Sequence, residues 1–273
     1  MEELLLDVTI DSIKALPILF LVYLLLEYLE NKSSNELDKK IIKYQKHGPL
    51  VGSLIGCLPQ CGFSMAASKL FSKHLITVGT LMAVFLSTSD EALVILLTQP
   101  DYYQTILSLI IIKILIGCSI GLLIDKFINT KIKIENNIIL HEESKHENIL
   151  LAAVKRTIKI FIFIFIINLL LSTAIMLIGE DNLAKILMNN TMFQPILAAL
   201  VGIIPNCAAS ILLAQLFINE TINFGSLVAG LCSGAGLGLV VLFKENKDYK
   251  QNIKILLSLL TISSIIGIII TLI

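Results

Sequence analysis

The chain contains one stretch twice, and this repeat constrains the fold more than any other feature. Residues 49–97 begin PLVGSLIGCLPQCGFS, and residues 195–243 begin PILAALVGIIPNCAAS. The two copies align without a gap at an offset of 146 residues, which relates Pro59 to Pro205. In a chain with 56% apolar residues, a duplication this long is typical of a transporter built from two related halves.

The composition indicates a membrane protein. Soluble domains carry about 25% charged residues, whereas this chain of 273 residues carries 15%. Several stretches of about 18 or more residues are nearly free of charge, which is the pattern of membrane spans. The formal net charge is zero, so nucleic acid is not indicated as a partner. The sequence therefore predicts an integral membrane protein whose direct partner is the lipid bilayer.

The N-terminus and the cysteines add two expectations. The first residues, MEELLLDVTIDS, are acidic and lack the positive region of a secretory signal, so the first span should be retained. The five cysteines do not have the spacing of a disulfide framework. Such thiols fit a reducing interior or the membrane core.

Apolar runs predict eight membrane segments, four in each half. Two of them, 49–71 and 195–217, are interrupted near the middle by a proline and polar residues. The glycine-rich run 233–238 lies inside a span with no preceding strand, so we interpret it as a close helix contact rather than a nucleotide loop. The other predicted segments are 13–29, 75–97, 103–124, 158–178, 222–243 and 253–273.

The distribution of lysine indicates how the interrupted segments run. Cytoplasmic loops are enriched in Lys and Arg. If all eight segments crossed the membrane, the lysine-rich linkers 31–47 and 125–156 would lie on opposite faces. If 49–71 and 195–217 instead enter and leave by the same face, both linkers are cytoplasmic and the N-terminus is outside. Ordinary proline-kinked spans remain the alternative.

These observations predict an all-α integral membrane fold of two inverted-topology repeats. Each repeat has three spans and one re-entrant helical hairpin, which makes about ten helical segments. Each hairpin arm is about ten residues, or roughly 15 Å, half of a hydrocarbon core of about 30 Å. The hairpin tips, marked by Pro59 and Pro205, should therefore meet near the midplane. The predicted divisions are residues 1–124, the cytoplasmic linker 125–150 and residues 151–273.

Two acidic residues inside a span give the sharpest functional signal. Asp90 and Glu91 follow Ser87 and Ser89, whose hydroxyls supply further oxygens. Ionised carboxylates inside a membrane are costly and usually line an ion pathway or are paired. Lys113 on the next span is the natural charge partner. The alternative interpretation is that an acid merely neutralises Lys113.

The hairpin tips supply a second set of candidate ligands. Amide and hydroxyl oxygens suit hard cations, whereas thiolates favour softer ones, so the mixed set fits a borderline divalent ion. The cysteines have the alternative role of small apolar residues at tight contacts. The tip residues are Gln60, Cys61, Ser64, Asn206, Cys207 and Ser210. Apart from the tips, His141 and His146 lie in the charged linker.

Three stretches carry a resemblance to a known family: GCLPQCGFS with the following GTLMAVFLSTSDEA, then GIIPNCAAS, then FGSLVAGLCSGAGLGLVVLF. On these the chain resembles the bacterial ten-helix heavy-metal exporters, which are also named manganese transporters or arsenic efflux proteins. The resemblance implies efflux of a metal or metalloid across the cytoplasmic membrane.

The sequence thus predicts a secondary transporter that exports a divalent heavy metal, manganese first. Asp90 and Glu91 would serve as ligands or proton-coupling groups between the two tips. No ATP-binding or hydrolase motif is present, so neither an enzyme nor an ATP-driven pump is indicated, and no cofactor is expected besides the transported ion. The alternatives are an arsenite or organoarsenical permease using Cys61 and Cys207, a passive channel, and a scaffold without transport. A homo-oligomer is left open.

Overall fold

The computed structural model describes most of both repeats. The described residues are 47–58, 61–88, 92–97, 102–128 and 193–272, with isolated helical positions between 17 and 24 and between 150 and 173. The predicted spans 13–29 and 158–178 and the linkers 31–47 and 125–156 lie largely outside these ranges.

The described part of both repeats consists of helices joined by turns, without a strand, which confirms the all-α prediction. In the first half the helices are α1 Gly48–Gly56, α2 Gly62–Ser72, α3 Val78–Ser87, α4 Ala92–Leu97 and α5 Tyr103–Ile128. In the second half they are α6 Gln194–Gly202, α7 Cys207–Ile218, α8 Phe224–Ser233, α9 Leu237–Glu245 and α10 Tyr249–Leu272.

Among the described residues, three helical stretches are long and apolar enough to cross a membrane: Tyr103–Phe127, Phe224–Glu245 and Tyr249–Leu272. The first and third expose large apolar side chains such as Leu115 and Ile269. Exposed leucine and isoleucine on helices of this length fit contact with lipid. The chain is therefore a multi-pass membrane protein.

Both interrupted segments double back on themselves. Gly48 lies against Thr80 and Gly56 lies against Ser87, so α1 and α3 run side by side in the same direction. The short connection after α2 must therefore return the chain to the level of Gly48, and α2 runs opposite to α1. If residues 49–71 crossed the membrane as one span, α3 would begin at the membrane face opposite to Gly48. The second half repeats this arrangement, with Gly202 against Gly230.

The two hairpins also end alike. His74 and Glu220, which the offset of 146 relates, have φ of 57° and 55°. The N–H of Leu75 donates to the carbonyl O of Leu70 at 2.9 Å, and the N–H of Thr221 donates to that of Leu216 at 2.8 Å. These are C-terminal helix caps in which one left-handed residue turns the chain.

Each hairpin packs against the opposite half. α2 contacts α9, and α7 contacts α4. Ser64 lies against Gly238, and the ammonium of Lys69 pairs with the carboxylate of Glu245, so α2 and α9 run in the same direction. α8 and α9 form one apolar span of 22 residues parallel to α6. Because α9 is parallel to α2, and α2 is antiparallel to α1, the span of α8 and α9 is antiparallel to α1. α6 is parallel to this span, so α6 runs opposite to α1. This supports the inverted arrangement, and the placement of the halves in a bilayer stays a prediction.

The turns group as the lysine distribution predicts. The Lys69–Glu245 ion pair brings the turn after α2 and the turn after α9 to one end of the molecule. At the other end the hydroxyl of Tyr102 donates to the carbonyl O of Ile218 at 3.3 Å. Among the described turns, the lysine-containing turns after α2 and α9 therefore lie at the opposite end from the turn that contains Glu220.

Two predicted spans are broken in the middle. In 75–97, α3 ends at Ser87 and α4 begins at Ala92, and in 222–243, α8 ends at Ser233 and α9 begins at Leu237. The close contact expected for 233–238 is present at Gly238, which lies against Ser64, and a break in the helix accompanies it. Gly236 has φ 53° and ψ −144°, a conformation open chiefly to glycine.

Candidate functional site

A small cavity lies where the breaks and the second hairpin tip meet. Its volume is about 10 Å³, which is room for about one water-sized particle. The residues that line it combine small side chains with hydroxyl, amide and main-chain carbonyl oxygens. They are Thr88, Gly202, Ile204, Asn206, Ser210, Gly230, Leu231, Gly234 and Gly236.

The tip is non-helical because its sequence prevents α6 from continuing. α6 ends at Gly202, and Pro205 supplies no backbone N–H. The side-chain amide oxygen of Asn206 accepts from the N–H of Ala208 at 2.9 Å and caps α7. Ile204 and Asn206 of this tip line the cavity. The tip thus exposes polar backbone to the cavity wall.

The two halves contribute equivalent positions to this wall. Thr88 and Gly234 are related by the offset of 146 and both line the cavity. Gly236, which also lines it, is the counterpart of Asp90. The cavity therefore lies at the joint between the repeats.

Lys113 is fully buried beside this joint. Its ammonium donates to the carbonyl O of Thr88, just past the end of α3, and to the carbonyl O of Leu231 in the last turn of α8, the latter at 2.8 Å. Both acceptors belong to cavity-lining residues. Lys113 therefore joins the ends of two broken spans, one from each half.

Of the predicted ligands, Asn206 and Ser210 line the cavity. Cys61 instead packs in an apolar cluster with Met65, Leu237 and Val241. The remaining two described candidates satisfy their hydroxyls on carbonyls of the chain. Ser64 donates to Cys61 O at 2.8 Å, and Ser87 donates to Ala83 O at 2.8 Å.

Several predicted residues fall outside what the structure describes. For Cys207 the backbone alone is described, at the start of α7. Among the described residues no three His, Cys, Asp or Glu side chains come together. The predicted residues outside the described ranges are Pro59, Gln60, Ser89, Asp90, Glu91, His141 and His146.

Sequence reasoning missed the main-chain part of the site. The site uses the backbone carbonyls of Thr88 and Leu231 and the space left by Gly236. A backbone carbonyl cannot be recognised from the type of side chain. One signal was present, since the polar run 87–91 and the glycine-containing run 233–237 occupy equivalent positions in the repeats. Equivalent interruptions in two halves point to a binding site.

Comparison with known proteins gives one match. A family described as "Putative, 10TM heavy-metal exporter" matches residues 13–182 and 159–273. The chain belongs to this family. Membership in the exporter family confirms the resemblance carried by the repeated motifs and fits the multi-pass helical architecture. No curated protein and no solved structure matches the chain.

Proposed function

We propose that this exporter is a secondary transporter that moves a divalent metal ion, manganese first, out of the cell through the cavity between the halves. One observation carries the proposal: the cavity joins two broken spans and a hairpin tip, and its wall offers oxygen ligands. Broken spans at a repeat interface are where transporters commonly bind small ions.

The chemistry of the wall favours a hard cation. Thr88, Asn206 and Ser210 carry hydroxyl and amide oxygens, which suit manganese better than a thiophilic species. Asp90 and Glu91 lie two and three residues after Thr88 in the chain and would supply the negative charge that a divalent ion needs. Gly236 lines the cavity, and Asp90 is the residue of the first half that the repeat relates to it. We therefore propose that Asp90 is the acid at the cavity wall.

The mechanism that follows is alternating exposure of this cavity to the two faces. The halves run in opposite directions, so a small tilt of one against the other can close one entrance as it opens the other. No nucleotide site accompanies the cavity in the sequence, so the energy must come from an ion gradient. Carboxylates at Asp90 and Glu91 would bind either a proton or the metal, which gives proton-for-metal exchange.

The arsenic alternative depends on thiols. A trivalent arsenical is held by sulfur, and Cys61 is buried among apolar side chains rather than on the cavity wall. We therefore favour manganese. A passive channel is the other alternative, and saturable export against a gradient excludes it.

A metal-sensitivity panel tests the cargo. A strain lacking this protein should accumulate manganese and become sensitive to it, and the wild-type protein should reverse both. The double variant Cys61→Ser, Cys207→Ser should retain manganese export within about threefold, because oxygen donors hold hard ions. Cellular metal content is the measurement. Arsenical sensitivity alone, abolished by the same double variant, would overturn the manganese assignment.

A further inference from the structure

The Lys113 ammonium occupies a place where two helix ends converge. α3 and α8 come from different halves, and their C-terminal ends meet at the Nζ atom of Lys113 through Thr88 O and Leu231 O. The last carbonyls of a helix have no partner inside the helix. Lys113 is fully buried, and its atoms reach these carbonyls from α5.

Electrostatics make this junction attractive to any small cation. Each helix C-terminus carries about half a negative charge, and here two of them point at one spot. In transporters with broken spans, half-helix C-termini and unwound carbonyls are what coordinates a monovalent coupling ion. An ammonium offers three donors and no acceptor, so it suits the carbonyl oxygens of Thr88 and Leu231.

The second repeat has no lysine at the position equivalent to Lys113. The position equivalent to Lys113 is Leu259, which is fully buried in the apolar core. Among the described residues, the ammonium at the junction comes from the first half. A single tethered cation serves both helix ends.

We propose that this junction is a monovalent-cation site which the chain fills with its own lysine. Lys113 replaces a sodium, potassium or ammonium ion, so the exporter needs none of these at the joint. Removing the side chain down to Cβ should leave a vacant site that takes up a small cation from solution. The proposal deepens the transport function above, but its first test does not depend on transport.

The first test measures thermal stability of the purified protein in detergent. Lys113→Ala should melt at a lower temperature than wild type in N-methylglucamine chloride, which is too bulky to enter. Sodium, potassium or ammonium chloride should raise its melting temperature saturably, because an ion that binds only the folded state stabilises it. The melting temperatures of wild type and Lys113→Met should depend only weakly, and to the same extent, on the choice of chloride salt. The lysine ammonium fills the site in wild type, and the thioether chain fills it in Lys113→Met.

The second test measures export in membrane vesicles. In N-methylglucamine medium Lys113→Ala should export manganese at least about tenfold more slowly than wild type, because the buried carbonyls lose their cation. Small cations should restore at least half of the rate to Lys113→Ala and nothing to Lys113→Met.

The outcomes separate the two proposals. If wild type exports no metal, the proposed function fails, and the melting experiment still decides the cation site. If Lys113→Ala melts at the same temperature in every chloride salt, the cation site is wrong even where wild type exports manganese. The cation site is also wrong if Lys113→Ala cannot be recovered in folded form after extraction in buffer that contains sodium, potassium or ammonium chloride.

Discussion

Replacing Asp90 by Asn should lower the rate of manganese export by about ten- to a hundredfold. An interaction with a charged group contributes about 1.5–3 kcal/mol, and each 1.36 kcal/mol is a factor of about ten in rate. Asn keeps the shape of the side chain but carries neither the charge nor the exchangeable proton. Manganese efflux from loaded cells gives the rate, and immunodetection gives the amount of protein in the membrane.

Two companion variants make this result specific. Glu220→Gln removes a carboxylate from an exposed turn and should leave export within a factor of about two, since exposed charges interact weakly. Glu91→Gln should lower export less than Asp90→Asn, because Asp90 and not Glu91 is the counterpart of the cavity-lining Gly236. Full export by Asp90→Asn at normal protein level would remove this acid from the proposed site.

The second large effect is expected from Gly202, where the hairpin tip begins. A Cβ atom at this position would lie 2.0 Å from the carbonyl O of Gly230 and 2.5 Å from the hydroxyl O of Ser233. Both partners belong to α8, so α6 would have to move away from it. Gly202→Ala should destabilise the folded protein by about 3 kcal/mol and abolish export. The measurement is the melting temperature and the monodisperse yield in detergent.

Gly234 provides the matched control. It also lines the cavity, but a Cβ atom there meets its nearest atom, the carbonyl O of Gly202, at 3.3 Å. Gly234→Ala should therefore lower the melting temperature far less than Gly202→Ala. Equal yields and melting temperatures for the two variants would mean that the close contact of α6 with α8 is not needed.

The repeat explains why much of the fold could be predicted. The offset of 146 carries Gly48–Gly56 onto Gln194–Gly202 and Val78–Ser87 onto Phe224–Ser233, residue for residue. Proline and glycine at the tips exclude a continuous helix, and lysine in the turns indicates which turns share a face. These signals are local, so a single sequence contains them.

The wall of the cavity was less predictable because it depends on packing between distant segments. Any residue type can present a carbonyl, so Thr88 and Leu231 carry no mark of their contact with Lys113. The sequence paired that lysine with an acid, and the structure adds two carbonyls from different halves. Cys61 looked like a tip ligand, but its surroundings are fixed by α9, far away in the chain.

The central claim is that two hairpins enter from opposite faces and that the second hairpin tip meets the broken spans at one cavity. The matched turn residues His74 and Glu220 test the opposed entry most directly. Both are exposed, both follow a hairpin, and both have the same left-handed backbone. His74→Cys and Glu220→Cys can be labelled with a membrane-impermeant maleimide in intact cells and in inverted vesicles, with wild type as the blank. We expect Glu220→Cys to react only in intact cells and His74→Cys only in inverted vesicles. Labelling of both from the same face would contradict the inverted hairpins and, with them, the proposed site.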